Sequence, residues 1–104
     1  MSDIFCKIIA GEIPSQRVLE GDDWIAINDI HPKAPVHVLI IPRVHAELED
    51  ISPELAGKLF VAAREVATKL GIAKPGFRVI INHGEHGGQE VSHLHLHVLG
   101  GRKL

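Results

Sequence analysis

Three histidines alternate with aliphatic residues in the run His93-Leu94-His95-Leu96-His97-Val98-Leu99. In an extended strand successive side chains point to opposite faces, so we expect the three imidazoles on one face and the aliphatic side chains on the other. Neighbouring imidazoles on that face would lie about 6.6 Å apart along the backbone, close enough to meet around one bound group. The run therefore predicts a site rather than a face that only packs.

The three imidazoles also influence one another's charge, because a second positive charge nearby disfavours the first. A neutral imidazole is a nucleophile, a base or a metal ligand, whereas a protonated one is none of these. The spacing thus favours covalent catalysis or metal binding.

A fourth histidine interrupts the most apolar stretch of the sequence. Val36 to Ile41 lies between Pro35 and Pro42 and predicts a strand at the centre of a sheet. Taken alone, His37 fits a core histidine bonded to a carbonyl group; beside a second strand rich in histidine, we interpret it as part of the same site. His45 follows in a polar stretch, where we expect a surface position.

The remaining patterns indicate an α+β domain over residues 1–104. Apolar residues at helical spacing predict a short N-terminal helical turn, and Ser52-Pro53-Glu54 starts a long packing helix that Gly71 closes. Further strands are predicted at Arg17 to Glu20, Trp24 to Asn28 and Phe77 to Asn82. We expect a mainly antiparallel sheet of about five strands, covered on one face by the long helix.

The loop from Asn82 to Glu90 leads from the fourth predicted strand into the histidine run. Its three glycines permit positive φ and let backbone amides approach a ligand, which suits an oxyanion such as phosphate. Glycine-rich loops are common, so this loop indicates a phosphate site only because it lies immediately before the histidine run.

Composition excludes several classes of function. Hydrophobic residues make up 45% of the chain and charged residues 23%, which indicates a folded domain. A net charge of −2 offers no broad basic surface, so we expect no nucleic-acid partner. Cys6 is the only cysteine, no apolar run reaches membrane-spanning length, and no signal segment is evident, so we expect a cytoplasmic protein without a membrane partner.

The histidine run matches the pattern of the histidine triad superfamily, and other segments resemble its Hint branch. These are Ile4-Phe5-Cys6-Lys7-Ile8-Ile9, Ile13-Pro14, Asn28-Asp29-Ile30, Ala34-Pro35-Val36-His37, Ile41-Pro42, Gly87-Gly88-Gln89 and Leu99-Gly100-Gly101-Arg102. The resemblance implies a homodimer whose two sheets join. It also implies cleavage of the P–N bond of purine nucleoside 5′-phosphoramidates, derivatives of AMP and GMP, with aminoacyl-adenylates as further substrates and no cofactor or metal required.

The resemblance also assigns roles to the histidines. His95 would be the nucleophile, attacking the α-phosphorus to form a nucleotidyl-histidine that water then hydrolyses. His97 and His37 would hold the α-phosphate and orient His95, and His93 would support the triad from behind. Covalent catalysis of this kind divides one hard displacement into two easier ones.

Nucleotide binding is likewise implied by resemblance. The carboxylate of Asp29 would accept both ribose hydroxyls. The positions lining the base are Phe5, Ile8, Ile27 and Asn28, and those near the phosphate are Asn82, Gly88, Gln89, Glu90 and Val91. Two departures leave specificity open: Glu90 stands where animal members carry a serine, and the sequence lacks the C-terminal tail that many members send toward the partner's site.

Three alternatives remain. In the first, His93, His95 and His37 bind zinc. The separate N-terminal zinc site of some family members needs two cysteines, and in this sequence Asp3 stands at the position of the first. A non-catalytic nucleotide-binding or interaction protein would keep the same fold. A dinucleoside polyphosphate hydrolase is disfavoured, because Gly100-Gly101 follows the triad in place of the proline-arginine pair of that branch.

Overall fold

The structure, a computed structural model, describes residues 3–104. Met1 and Ser2, which the predicted domain includes, lie outside the described residues. The elements in chain order are α1 (Ile4–Ile9), β1 (Arg17–Glu20), β2 (Trp24–Asn28), β3 (Val36–Pro42), a 3₁₀ turn (Leu48–Asp50), α2 (Pro53–Lys69), β4 (Arg78–Ile81) and β5 (Leu96–Gly100).

The five strands form one antiparallel sheet in the order β1-β2-β3-β5-β4, which confirms the predicted fold class. The central strand β3 pairs with β2 on one side and β5 on the other. Across the second pair, His37 lies opposite Leu99 and Leu39 lies opposite His97. Since directly opposed residues share a face, His37 and His97 emerge on the same side of the sheet.

Both faces of the sheet are covered at its centre. On one face, side chains such as Ala26, Val38 and Ile40 pack against α2 in the larger core cluster. On the other, Ile25, Ile27, Leu39 and Ile41 pack with Phe5 and Ile8 of α1. This burial on two sides explains why β2 and β3 read as continuous apolar runs instead of alternating.

Side-chain caps define where the two helices begin. Ser52 accepts a hydrogen bond from the backbone N–H of Leu55 at the start of α2, and Asp3 accepts one from Cys6 at the start of α1. The guanidinium of Arg17 donates to the carbonyls of Ile8 and Ile9, at 2.9 and 3.4 Å, at the end of α1. The short helix is therefore held at both ends.

The prediction that His93, His95 and His97 share one strand is wrong for the first two. β5 begins only at Leu96, where its ladder with β3 starts opposite Ile40. Before that point the chain leaves β3: the N–H of Leu94 donates to the carbonyl of Ala46, and that of His93 donates to Val91. The alternation of the side chains persists, because Leu94, Leu96 and Val98 still join the α2 core.

Other boundaries differ by one or two residues: β3 extends to Pro42, β4 is shorter than Phe77 to Asn82, and α2 ends before Leu70. The 3₁₀ turn was not predicted. Among residues 3–104, no helix combines the length and apolar character needed to cross a bilayer.

Candidate active site

The candidate site lies on the sheet face that α1 covers, at the ends of β3 and β5. Helix α1 is only six residues long, and its Phe5 and Ile8 pack in one cluster with Ile25, Ile27, Leu39 and Ile41 of this face. His37 and His97 emerge beside it, and the segment before β5 brings in His93 and His95. The structure thus brings together all four histidines predicted from the sequence.

His95 is held in one ring orientation by the backbone. Its Nδ1 lies 2.8 Å from the carbonyl oxygen of His93. A carbonyl oxygen only accepts, so Nδ1 carries the proton and Nε2 of the neutral ring keeps its lone pair. His95 is 6% exposed, and the centroid of its ring lies 5.0 Å from that of Phe5, in a T-shaped contact, and 5.1 Å from that of His97. An oriented ring with a free lone pair is the form that a nucleophile requires.

His97 and His37 form a direct contact across the β3–β5 pair. His37 Nε2 lies 2.9 Å from His97 Nδ1 and 3.3 Å from an oxygen of Asp29. Burial, followed by the neighbouring rings of His95 and His37, lowers the pKa of His97 from its ordinary value to about 4. Burial also lowers the pKa of His37, and the charge of Asp29 opposes this shift only in part. Both rings are therefore neutral near pH 7.

His93 lies behind the other rings and is fully buried. Its Nε2 donates to the carbonyl oxygen of Pro42 at 2.9 Å, and its Nδ1 lies 3.2 Å from the carboxylate of Asp3. Its own carbonyl oxygen holds His95. The ring thus anchors the segment before β5 to the end of β3.

Two groups of potential metal ligands come together in the part of the chain that the structure describes. One consists of Asp3, Cys6, His45 and His93, and the other of Asp29, His37 and His97, with all ligand atoms of a group within 4.8 Å of one another. The zinc alternative grouped His93, His95 and His37, but the structure places His93 and His37 in different groups.

The sequence disfavours an N-terminal metal site because Asp3 replaces one of the paired cysteines, and it does not predict that His45 and His93 join Asp3 and Cys6. His45 is exposed, as predicted, but its Nδ1 lies 2.9 Å from Asp3 and 3.4 Å from the sulfur of Cys6. One oxygen, one sulfur and two nitrogen atoms are ligand types that zinc accepts, with a carboxylate in place of a second thiolate. Only the Asp3-x-x-Cys6 spacing could have indicated this group, because the two histidines approach through the tertiary fold.

The loop between β4 and β5 is shaped by its own amide side chains. Asn82 donates to the carbonyl of Gly87 at 2.8 Å. Gln89 accepts from the N–H of Gly84 and donates to the carboxylate of Glu47, at 2.8 and 2.9 Å. Both amides were predicted near a phosphate, and each also fixes the loop. The link to Glu47 was missed, because nothing in the sequence pairs residues so far apart.

The other predicted nucleotide-binding residues lie around the same face. Phe5, Ile8 and Ile27 are buried together, and Val91 packs against them. Asn28 is exposed and donates to Gln16, while Gly88, at φ 76°, and Glu90 are exposed in the loop. Asp29 accepts from the N–H of His31 at 2.8 Å through the carboxylate oxygen that does not face His37.

Comparisons with known proteins agree on one family. A model described as HIT domain matches residues 10–104. The purine nucleoside phosphoramidase of Escherichia coli strain K12 is 47% identical over 105 residues, which cover 97% of this chain and 88% of that protein. Protein HitA of Neisseria gonorrhoeae is 46% identical over 101 residues, covering 93% of this chain and 94% of HitA.

Solved structures show the same fold. A HIT family hydrolase from Legionella pneumophila Philadelphia 1 superposes with a TM-score of 0.93 at 42% identity, covering 98% of this chain and 95% of that one. A histidine triad protein from Clostridium difficile superposes with a TM-score of 0.92 at 44% identity, covering 100% of this chain and 96% of that one.

The lowered pKa of His97 predicts a pH-dependent stability. Between pH 6.5 and about 4 the unfolded chain binds a proton at His97 that the folded chain does not bind. The free energy of unfolding should therefore fall as the pH is lowered through this range, and His37 should contribute in the same direction. Urea denaturation at pH 7.5 and pH 5 measures the effect. A His97→Gln variant should lose less stability over this interval than the parent, and an equal loss would contradict the assignment.

Proposed function

The chain belongs to the HIT domain family, which includes hydrolases of similar fold, and on this basis we propose that it cleaves the P–N bond of purine nucleoside 5′-phosphoramidates. The observation that carries the proposal is the hydrogen bond from His95 Nδ1 to the carbonyl of His93, which leaves the lone pair of Nε2 free. The relative named purine nucleoside phosphoramidase, at 47% identity, supports the substrate class.

The proposed reaction has two displacements at phosphorus. In the first, Nε2 of His95 bonds to the α-phosphorus while the P–N bond breaks, and the departing amine takes up a proton from solvent, which the hydrolysis in the second step returns. In the second, water attacks the nucleotidyl-histidine, which releases the nucleoside monophosphate and the neutral ring. His97, held neutral by burial, would contact the phosphoryl oxygens, where a fixed donor stabilises developing charge, and His37 would hold the α-phosphate site by orienting His97.

The nucleotide would lie along the α1 face of the sheet. Its purine would pack beside Phe5, Ile8, Ile27 and Asn28, because this is where the apolar face meets the loops. Asp29 would accept the ribose hydroxyls: each carboxylate oxygen accepts more than one hydrogen bond, so its contacts to His31 and His37 leave capacity for a ligand. The loop carrying Asn82, Gly88, Gln89, Glu90 and Val91 would border the phosphate. AMP and GMP derivatives, including aminoacyl-adenylates, are the substrates we propose.

We also propose a cytoplasmic homodimer that needs no metal for turnover and binds neither nucleic acid nor membranes. The thiol of Cys6 has no second cysteine in the chain and suits a reducing compartment. Within residues 3–104, edge strand β4 pairs only with β5, and Val79 on it is exposed. An edge with free backbone groups and apolar side chains can continue a sheet into a second copy, while exposed Phe60 on α2 adds apolar surface.

Replacing the nucleophile tests the reaction. With an adenosine 5′-phosphoramidate that carries a fluorogenic amine, His95→Ala should lower turnover by about 10³-fold or more, since loss of a nucleophile removes the covalent route. Rapid quenching of the parent should trap one AMP on the peptide that contains His95, detected by mass. His31→Ala is the matched control: it removes an exposed imidazole but keeps the backbone N–H. Equal turnover by parent and His95→Ala would remove His95 from the mechanism and overturn the proposal, whereas binding without turnover by the parent would leave the non-catalytic nucleotide-binding protein as the alternative.

Metal removal separates this proposal from a zinc mechanism. After treatment with a strong chelator and measurement of residual metal, the parent should turn over at its original rate, because no step uses a Lewis acid. Cys6→Ala, treated in parallel, controls for any metal held by the N-terminal group. Activity lost on chelation and restored by zinc would contradict the covalent histidine route.

The dimer is tested at the β4 edge. Sedimentation equilibrium should give the parent the mass of two chains, and Val79→Lys should give the mass of one, because it places a charge on the joining edge. Val44→Lys also places a charge on an exposed apolar residue, away from this edge, and should remain a dimer. A monomeric parent at micromolar concentration would exclude this assembly.

A further inference from the structure

A backbone amide outside the triad contacts the catalytic face. The N–H of Lys33, in the loop between β2 and β3, donates to Nδ1 of His37 at 3.1 Å. A backbone N–H is always a donor, so this ring nitrogen must present its lone pair. Neutral His37 therefore carries its proton on Nε2, and a second proton on Nδ1 would bring two N–H groups face to face.

The tautomer of His37 determines that of His97. Protonated Nε2 of His37 faces two possible acceptors, His97 Nδ1 at 2.9 Å and an oxygen of Asp29 at 3.3 Å. Nδ1 of His97 is then an acceptor, and the proton of neutral His97 lies on Nε2, on the ring edge turned away from His37. That edge is available to a group bound at His95, whose ring centroid is 5.1 Å from that of His97.

The loop that contains the Lys33 amide is held in place by hydrogen bonds that do not involve the Lys33 side chain. The N–H of Asp29 donates to the carbonyl of His37 at 3.0 Å, where the loop begins. The guanidinium of Arg102 donates to the carbonyl of Lys33 at 3.3 Å. The Lys33 side chain itself is exposed. Its amide, rather than its charge, is the group fixed against the ring.

We propose that the backbone N–H of Lys33 is a positioning group that sets the tautomers of His37 and, through it, of His97. His97 then offers an N–H donor to an anionic oxygen of a phosphoryl group at His95. With the opposite tautomers, the same nitrogen would turn a lone pair toward that oxygen and repel it. The inference rests on the proposed function for its consequence in catalysis, but the tautomers are properties of the protein without substrate.

Nuclear magnetic resonance tests the tautomers directly. In ¹⁵N-labelled parent protein at pH 7.5, long-range ¹H–¹⁵N spectra distinguish protonated from unprotonated ring nitrogens, and single His→Gln variants assign the signals. We expect protonated Nε2 in His37 and His97, and protonated Nδ1 in His95. Protonated Nδ1 in His37 or His97 would overturn the inference, whether or not the protein shows turnover.

A pair of variants tests the amide. Lys33→Pro removes the N–H, whereas Lys33→Ala keeps it; both remove the same charge, so their difference isolates the hydrogen bond. Lys33→Pro should mix the tautomers of His37 and His97 and reduce kcat by about 10- to 100-fold relative to Lys33→Ala, somewhat less than outright loss of an oxyanion donor. Identical ring spectra and kcat in the two variants would overturn the inference.

The two experiments separate the possible failures. If Lys33→Pro does not fold, the spectra of the parent still show whether His37 and His97 have the tautomers that the inference requires. If the tautomers are as expected but parent and Lys33→Ala cleave no phosphoramidate, the proposed function fails while the assignment of the tautomers stands.

Discussion

The pairing of β3 with β5 is the constraint on which the candidate site depends. It places Leu39 opposite His97 and His37 opposite Leu99, so the two imidazoles share a face and touch. Because side chains alternate with a period of two, a slip of one residue would send His97 into the α2 core and separate the rings. Neighbouring apolar residues favour this register, since Val38, Ile40 and Val98 are fully buried in it and a slip of one residue would turn them to the opposite face.

Backbone groups, more than charged side chains, fix the chemical state of these rings. The carbonyls of His93 and Pro42 each face a ring nitrogen and require a proton there. Burial then keeps His37 and His97 neutral, as their lowered pKa values show. These main-chain groups lie at the end of β3 and in the segment just before β5, so the backbone that borders the sheet also fixes which ring nitrogens carry a proton.

Much of this architecture follows from local patterns in the sequence. The cap at Ser52, the apolar strand from Val36 to Ile41 and the alternating histidines each follow from short-range patterns, and the structure agrees on these elements and on the face that the imidazoles share. The sequence could not show that β5 starts after His95, because that depends on where β3 stops being available as a partner. For the same reason the approach of His45 to Asp3, and of Gln89 to Glu47, escaped prediction: distant loops meet only once the sheet has formed.

Because helix α1 borders the site, one side of the site is less stable against local unfolding than the sheet. A helix of six residues is too short to be stable alone, so its order comes from its caps and from the sheet beneath it. Elements with few buried contacts open at lower free energy than the core strands. Phe5, whose ring makes a T-shaped contact with that of His95, belongs to this helix, whereas His37 and His97 lie on strands β3 and β5. Fraying of the N-terminal turn would therefore loosen the surroundings of His95 and His93, which contact Phe5 and Asp3, while His37 and His97 would keep the positions that the strands give them.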